Sequence, residues 1–173
     1  LAVHNDELQA VYKEVVANEQ MVETYNCEGA EYIITAFGTV ARIAKSAIAE
    51  LKAKGINVGL VRPITVWPFP YDAVREAACP KVFIPNLGTD PELFGLTVQD
   101  QVAYLLRFGA DGCPAGQALN WLLVDEDESR YPGGIPYEWL ARLGIRVRKA
   151  YLVSEPPYLD AGLLCRELLG DWK

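Results

Sequence analysis

Residues 32–62 constrain this chain more than any other stretch. Tyr32-Ile33-Ile34-Thr35-Ala36-Phe37 is a near-continuous apolar run, the pattern of a strand covered on both faces. Gly38-Thr39 turns the chain, and Val40, Ile43, Ala44, Ala47, Ile48 and Leu51 then recur with helical period, with Gly55 placed to cap the C-terminus. Asn57 to Arg62 (Asn-Val-Gly-Leu-Val-Arg) reads as the next strand. Strand, helix and strand in direct succession cross over right-handed onto a parallel sheet. The fold class that follows is α/β, a three-layer sandwich with a mostly parallel sheet of about four or five strands flanked by helices.

The flanks extend the pattern. Asn5 to Tyr25 reads as an amphipathic helix, with Leu8, Val11, Tyr12, Val15, Val16 and Val22 on one stripe and Asp6 and Glu7 in the first turn. Pro63 to Pro70 is a proline-stiffened loop that leads into a short helix over Tyr71 to Ala78. Lys81 to Pro85 predicts a third strand. Thr97 opens a helix with Asp100 three residues on, an approximate capping box, and Gly109 ends it. Ala110 to Gly116 reads as a turn and Asn120 to Val124 as a fourth strand. Tyr131-Pro132-Gly133-Gly134 is a turn before a short helix over Pro136 to Leu143, and Arg146 to Val153 suits an edge strand. A last helix spans Asp160 to Leu169.

A length of 173 residues suits one domain over 1–173. Such a chain buries roughly two-thirds of its unfolded surface and needs no disulfide or metal to fold. The net charge of −7 argues against nucleic acid and against an anionic membrane surface. No apolar run approaches the ~20 residues of a membrane span, and the N-terminus does not form a signal peptide. Leu1 in place of Met reads as a piece trimmed from something longer. Cys27, Cys79, Cys113 and Cys165 are widely scattered, with His4 the one histidine. That spacing predicts no metal site and suits small core residues in a reducing, cytoplasmic compartment.

Ligands in open α/β sheets collect at the carboxyl ends of the strands. Gly38 and Thr39, ahead of a helix, offer backbone N–H groups to an anion, or form a plain tight turn. Arg62 can take a phosphate or carboxylate bidentately, or anchor a neighbouring subunit. Asn86, Gly88 and Asp90 lie in a turn-rich loop after the third strand. Trp67 and Phe69, set between prolines, are interface candidates or wedges into the core. The acidic cluster Asp125 to Glu128 reads as a solvated turn. Neither a Ser–His or Cys–His arrangement nor a P-loop or G-x-G-x-x-G is present, so no catalytic residue is assigned.

The run Gly38-Thr39-Val40-Ala41-Arg42-Ile43-Ala44-Lys45, followed by Gly55-Ile56-Asn57-Val58-Gly59-Leu60-Val61-Arg62-Pro63-Ile64-Thr65-Val66-Trp67-Pro68-Phe69-Pro70, is distinctive. With the preceding helix, residues 1–80 resemble the C-terminal, transketolase C-terminal-like domain of the alpha subunit of 2-oxoacid:ferredoxin oxidoreductases. The resemblance implies an enzyme that uses thiamine diphosphate, iron–sulfur clusters and coenzyme A to convert a 2-oxoacid to an acyl-CoA. It implies that none of these cofactors is held by this chain, whose role is packing against the enzyme's other subunits and domains. Past residues 79–81 the pattern changes. The stretch Asn86 to Gly95, the Tyr131-Pro132-Gly133-Gly134 turn and Arg142-Leu143-Gly144-Ile145-Arg146-Val147 make residues 81–173 more similar to the C-terminal part of 2-phospho-L-lactate transferase-like and gluconeogenesis-factor-like proteins. Three expectations follow: a non-catalytic association domain of the oxidoreductase, a nucleotide- or phosphosugar-binding module, or an engineered chimeric scaffold without ligand.

Overall fold

The computed structural model describes residues 2–65, 68, 70, 73, 80–93, 95–109 and 114–170. Among the described residues six strands form one sheet: β1 (Val22–Tyr25), β2 (Tyr32–Thr35), β3 (Val58–Pro63), β4 (Lys81–Phe83), β5 (Trp121–Asp125) and β6 (Arg146–Ala150), in the order β1-β3-β2-β4-β5-β6. All neighbours are parallel except β1, which runs antiparallel to β3. The helices are α1 (Ala2–Asn18), α2 (Gly38–Ala53), α3 (Val98–Gly109), α4 (Ala115–Ala118), α5 (Tyr137–Arg142) and α6 (Ala161–Leu168). This is the expected α/β class, with one strand more than expected.

The strand–helix–strand unit at 32–62 forms as read. Every residue of β2 is buried, and α2 buries Val40, Ala41, Ala44, Ala47, Ile48 and Leu51 against the sheet and against α6. The path from β2 through α2 to β3 moves one way along the sheet, and that from β4 through α3 to β5 moves the other. Right-handed crossovers in opposite directions place α2 and α3 on opposite faces. That is why β2 is apolar throughout rather than alternating. Gly59, in the middle of β3, has no room for a side chain: a Cβ there would meet Ile33 Cδ1 at 2.5 Å and Cys27 Cα at 2.9 Å.

The N-terminal expectation is corrected. The helix stops at Asn18, and Val22 to Tyr25, read from sequence as its last turn, is a strand. Val22 lies beside Pro63 and Glu23 beside Arg62, so these four residues satisfy their backbone on the edge of β3 rather than within a helix. Leu8, Val11 and Tyr12 of the expected buried stripe are exposed, at 43%, 55% and 50%. Periodicity without a partner surface does not bury a helix. Further along, the third strand is shorter than Lys81 to Pro85, and Ala115 to Ala118, partly inside an expected turn, is a helical turn. The expected short helix over Tyr71 to Ala78 falls almost wholly outside the described residues.

Caps form where the residue types asked for them. Thr97 N and Oγ1 both donate to Asp100 Oδ2, at 2.9 and 2.6 Å, and Asp100 N donates back to Thr97 Oγ1 at 3.1 Å. That is the reciprocal capping box. Asp160 caps α6 by accepting from Leu163 N at 2.9 Å.

The Tyr32 hydroxyl donates to the Leu168 carbonyl and so pins α6 to β2. Burial, seconded by the Glu31 carboxylate, pushes the Tyr32 phenol up to about 12. Burial likewise raises Tyr131. An unfolded tyrosine ionises near pH 10, so above that pH the unfolded chain releases protons that the folded chain keeps. Stability is therefore expected to be intact below pH 10 and to fall as pH rises towards 12, by at most about 1.4 kcal/mol per pH unit for each tyrosine. Denaturant midpoints between pH 9 and 12 measure this slope, which is shallower in Tyr32→Phe.

Candidate functional site

Between β2 and β4 the order of the sheet reverses, because the chain leaves β2 towards β3 and leaves β4 towards β5. The carboxyl ends of two strands that diverge in this way leave a crevice, the usual ligand position in open sheets. The crevice is present. It is lined by Thr39, Val40 and Ile43 from the start of α2, by Leu87, Thr89, Asp90 and Pro91 from the loop after β4, and by Pro157, Tyr158 and Leu159 from the segment after β6. The fold therefore places Thr39 and Asp90 in the lining of one crevice.

The geometry limits what the crevice can hold. Its volume is about 60 Å³, whereas pockets for drug-sized ligands run to roughly 300–1,000 Å³. A nucleotide or a phosphosugar does not fit this space. Gly38 opens α2 with φ of +60°, a left-handed position that glycine adopts without strain. Phe37 stands at the N-cap and gives no side-chain hydrogen bond. The Thr39 hydroxyl accepts from Arg42 Nη2 at 3.0 Å.

The remaining predicted binding residues do structural work in the fold. Gly88 N donates to the Arg130 carbonyl at 2.8 Å, and a Cβ on Gly88 would meet Pro132 Cδ at 2.7 Å. The turn Tyr131-Pro132-Gly133-Gly134 thus packs on Gly88, and Gly133 and Gly134 hold consecutive φ of +76° and +71°. Asn86 is fully buried; its N–H donates to Gln101 Oε1 at 3.0 Å, while its side-chain amide has no partner. Arg62 is engaged within the chain. Its Nη1 lies 3.3 Å from Glu23 Oε2, and Lys45 Nζ pairs with the other oxygen of the same carboxylate. Lys45, with Arg62 behind it, holds the Glu23 carboxyl below its usual range. Trp67 and Phe69 lie outside the described residues.

Asp125 corrects the reading of the acidic cluster as a solvated turn. It is 1% exposed. Its Oδ2 accepts from Leu152 N at 2.8 Å and Val153 N at 3.1 Å, and its Oδ1 accepts from Asp127 N at 3.0 Å and Arg130 Nε at 3.1 Å. A carboxylate with four donors is a structural tie, and nothing is left to coordinate a cation. Sequence reasoning missed Asp125, Glu23 and Gln101 because each takes its role from a distant partner. The signal available for Asp125 was its place one residue past an apolar run, at the carboxyl end of a strand.

A hollow of about 570 Å³ opens at the other end of the sheet, lined by Asn26, Cys27, Glu28, Lys52, Gly55, Ile56 and Asn57. Its polar groups bond to one another: Asn26 Nδ2 donates to Asn57 Oδ1 at 2.6 Å, and Lys52 Nζ donates to Asn26 Oδ1 at 2.8 Å. Among the described residues no group of three or more His, Cys, Asp or Glu side chains gathers to hold a metal. Described residues therefore do not fit an iron–sulfur cluster, and the 60 Å³ crevice does not fit thiamine diphosphate. No helix of the described residues is long and apolar enough to cross a membrane.

The local geometry thus shows a well-packed α/β unit with a small crevice, and what the chain is similar to is read from its sequence. Residues 30–100 match pyruvate:ferredoxin oxidoreductase core domain II. The chain is 46% identical over 71 residues to ketoisovalerate oxidoreductase subunit VorB of Methanothermobacter thermautotrophicus, a stretch covering 41% of this chain and 20% of that subunit. It is 32% identical over 89 residues to 2-oxoglutarate synthase subunit KorA of Methanocaldococcus jannaschii, covering 49% of this chain and 24% of that one. The chain therefore spans about a fifth to a quarter of the length of these relatives. In fold it is similar to a 2-oxoglutarate:ferredoxin oxidoreductase from Magnetococcus marinus solved with 2-oxoglutarate, coenzyme A and succinyl-CoA bound. That likeness has a TM-score of 0.53 at 14% identity, over 91% of this chain and 20% of the other. The expected resemblance to 2-oxoacid:ferredoxin oxidoreductase subunits holds, and the likeness in fold runs past residue 100, where the family match ends.

Proposed function

We propose that this chain is a non-catalytic structural and association domain of the alpha subunit of a cytoplasmic 2-oxoacid:ferredoxin oxidoreductase. The whole enzyme would convert a 2-oxoacid and coenzyme A to acyl-CoA and carbon dioxide while reducing ferredoxin. The observation that carries this reading is the 46% identity over 71 residues to an oxidoreductase subunit. It is supported by what the site lacks room for. The crevice is too small for thiamine diphosphate or a nucleotide. Thiamine diphosphate, the clusters and coenzyme A would then sit on other parts of the enzyme. Thr39 and Asp90 shape the closed crevice, Gly38, Asn86 and Gly88 set its loops, and Arg62 ties β1 to β3. Residues 1–173 act as one α/β unit, and the seam at 79–81 runs through its sheet, since β4 pairs with both β2 and β5.

Trp67 and Phe69, in their proline-rich stretch of sequence, are the proposed anchors for the neighbouring subunit. The chain is expected to co-elute with a purified thiamine-binding subunit of a ketoisovalerate oxidoreductase in size-exclusion chromatography. Trp67→Ala with Phe69→Ala is expected to weaken that complex by about thirtyfold, the scale of a loss of about 2 kcal/mol at an interface hot spot. Thiamine diphosphate, coenzyme A, 2-oxoacids and UDP-sugars are expected to leave the unfolding temperature of the isolated chain unchanged. A ligand at 100 times its dissociation constant would add about 2.7 kcal/mol, a rise of several degrees. Such a rise with any one of them, or elution of the chain alone, overturns the reading.

A further inference from the structure

The crevice at the order reversal has a fixed floor and a loosely attached roof. The floor is made by the first turn of α2 and the loop after β4, both rooted in the buried centre of the sheet. The roof is residues 154–160, Ser154-Glu155-Pro156-Pro157-Tyr158-Leu159-Asp160. Both ends of this segment are pinned. Leu152 N and Val153 N donate to the buried Asp125 carboxylate, at 2.8 and 3.1 Å. Asp160 N donates to the Leu152 carbonyl at 2.7 Å, and Ser154 Oγ donates to Asp160 Oδ2 at 2.6 Å, which draws the two ends together. A compact surface loop with its ends closed in this way is an Ω-type loop.

Between the ends the attachment is slight. Residues 154 to 158 are exposed, Tyr158 at 64%, and Leu159 alone of the segment is buried. Across the crevice Thr89 Oγ1 lies 3.5 Å from the Pro157 carbonyl, longer than an ordinary O–H···O hydrogen bond, so this contact is weak. Segments with little buried apolar surface and few backbone bonds open at a small fraction of the global unfolding free energy. Beneath this roof lies the α2 N-terminus, whose N-cap residue supplies no side-chain hydrogen bond.

We propose that residues 154–160 form a lid on the crevice between β2 and β4, hinged at Ser154 and Asp160 and latched by Thr89 on Pro157. In the closed position the crevice keeps a volume of about 60 Å³, roughly that of two waters. Opening exposes the first turn of α2 without disturbing β5, β6 or α6, because the hinge residues are held by the Asp125 tie and the α6 cap. The lid stands independently of the oxidoreductase reading, since it rests on this segment's own contacts.

Amide hydrogen exchange on the intact chain tests it. In Pro157→Gly with Tyr158→Gly, the Thr39 and Val40 amides are expected to exchange about five to ten times faster, as local opening requires. The Leu122, Leu123 and Val124 amides in β5 are expected to keep their wild-type rates. Thr89→Val, which removes the latch hydroxyl and preserves its shape, is expected to move the same two amides in the same direction, and it serves if the double glycine variant does not fold. Unchanged exchange at Thr39 and Val40 overturns the proposal. So does an equal acceleration at Leu122 to Val124, which would mean general loss of stability rather than a lid.

Discussion

Asp125→Ala is expected to destabilise the chain by about 3–5 kcal/mol, the range for breaking a buried ionic tie on one side. The carboxylate closes two pieces of chain onto the end of β5: the turn at 126–131 through Asp127 N and Arg130 Nε, and the segment after β6 through Leu152 N and Val153 N. Alanine leaves Leu152 N and Val153 N buried with no acceptor, and each such donor costs about 1–3 kcal/mol. At this size about 2–4 °C is lost per kcal/mol, so a fall of roughly 10 °C in the unfolding temperature is expected. Asp125→Asn keeps a side-chain acceptor but loses the charge on Arg130 and offers an N–H where a second acceptor is needed. Its loss is expected to be large but smaller than that of alanine. Equal stability of wild type and Asp125→Ala in urea unfolding would show that the tie is not formed in solution.

Phe83→Ala is expected to cost about 3–5 kcal/mol as well, by a different route. Phe83 ends the short central strand β4, is fully buried, and stacks on Phe37 with ring centroids 6.0 Å apart. It is the partner of Thr35 in β2 and of Leu122 in β5, so it joins a strand within residues 1–80 to one within residues 81–173. Removing it opens a cavity where β2, β4 and the start of α2 meet, and a three-residue strand has little else to hold it. Phe83→Leu refills most of the volume and is expected to lose well under half as much. If the halves were independently stable, Phe83→Ala would produce two unfolding transitions. One cooperative transition at lower denaturant is the expected result, because the sheet is continuous across the seam.

Residues 32–62 were legible from the sequence because every signal there agreed. The apolar run, the helical period and the Gly55 cap are local properties, and a buried parallel strand needs no partner to be recognised as one. The capping box at Thr97 and Asp100 and the N-cap at Asp160 were legible for the same reason: donor and acceptor lie within three residues. Along β1 the same reasoning failed. Val22 to Tyr25 is four residues long, too short for a two-residue period to stand out from the helix before it, and its strand character comes from β3, nearly forty residues later. The exposed face of α1 failed in the opposite sense, since period alone promises a buried stripe and cannot supply the surface to bury it.

The candidate site divides along the same line. That Gly38, Thr39 and Asp90 lie after strands, and so at the ligand end of an open sheet, follows from the order of elements in the sequence. So does the likeness of the Gly38 to Pro70 run to oxidoreductase subunits, because side-chain identity carries kinship directly. The tertiary structure alone decided that the crevice is small and roofed by residues 154–160, that Arg62 is taken by Glu23, and that Asp125 is a buried tie rather than a solvated acid. Each of these depends on which distant segment arrives beside a polar group. Hydration and pairing are properties of that meeting, and a residue's own neighbours in sequence do not encode it.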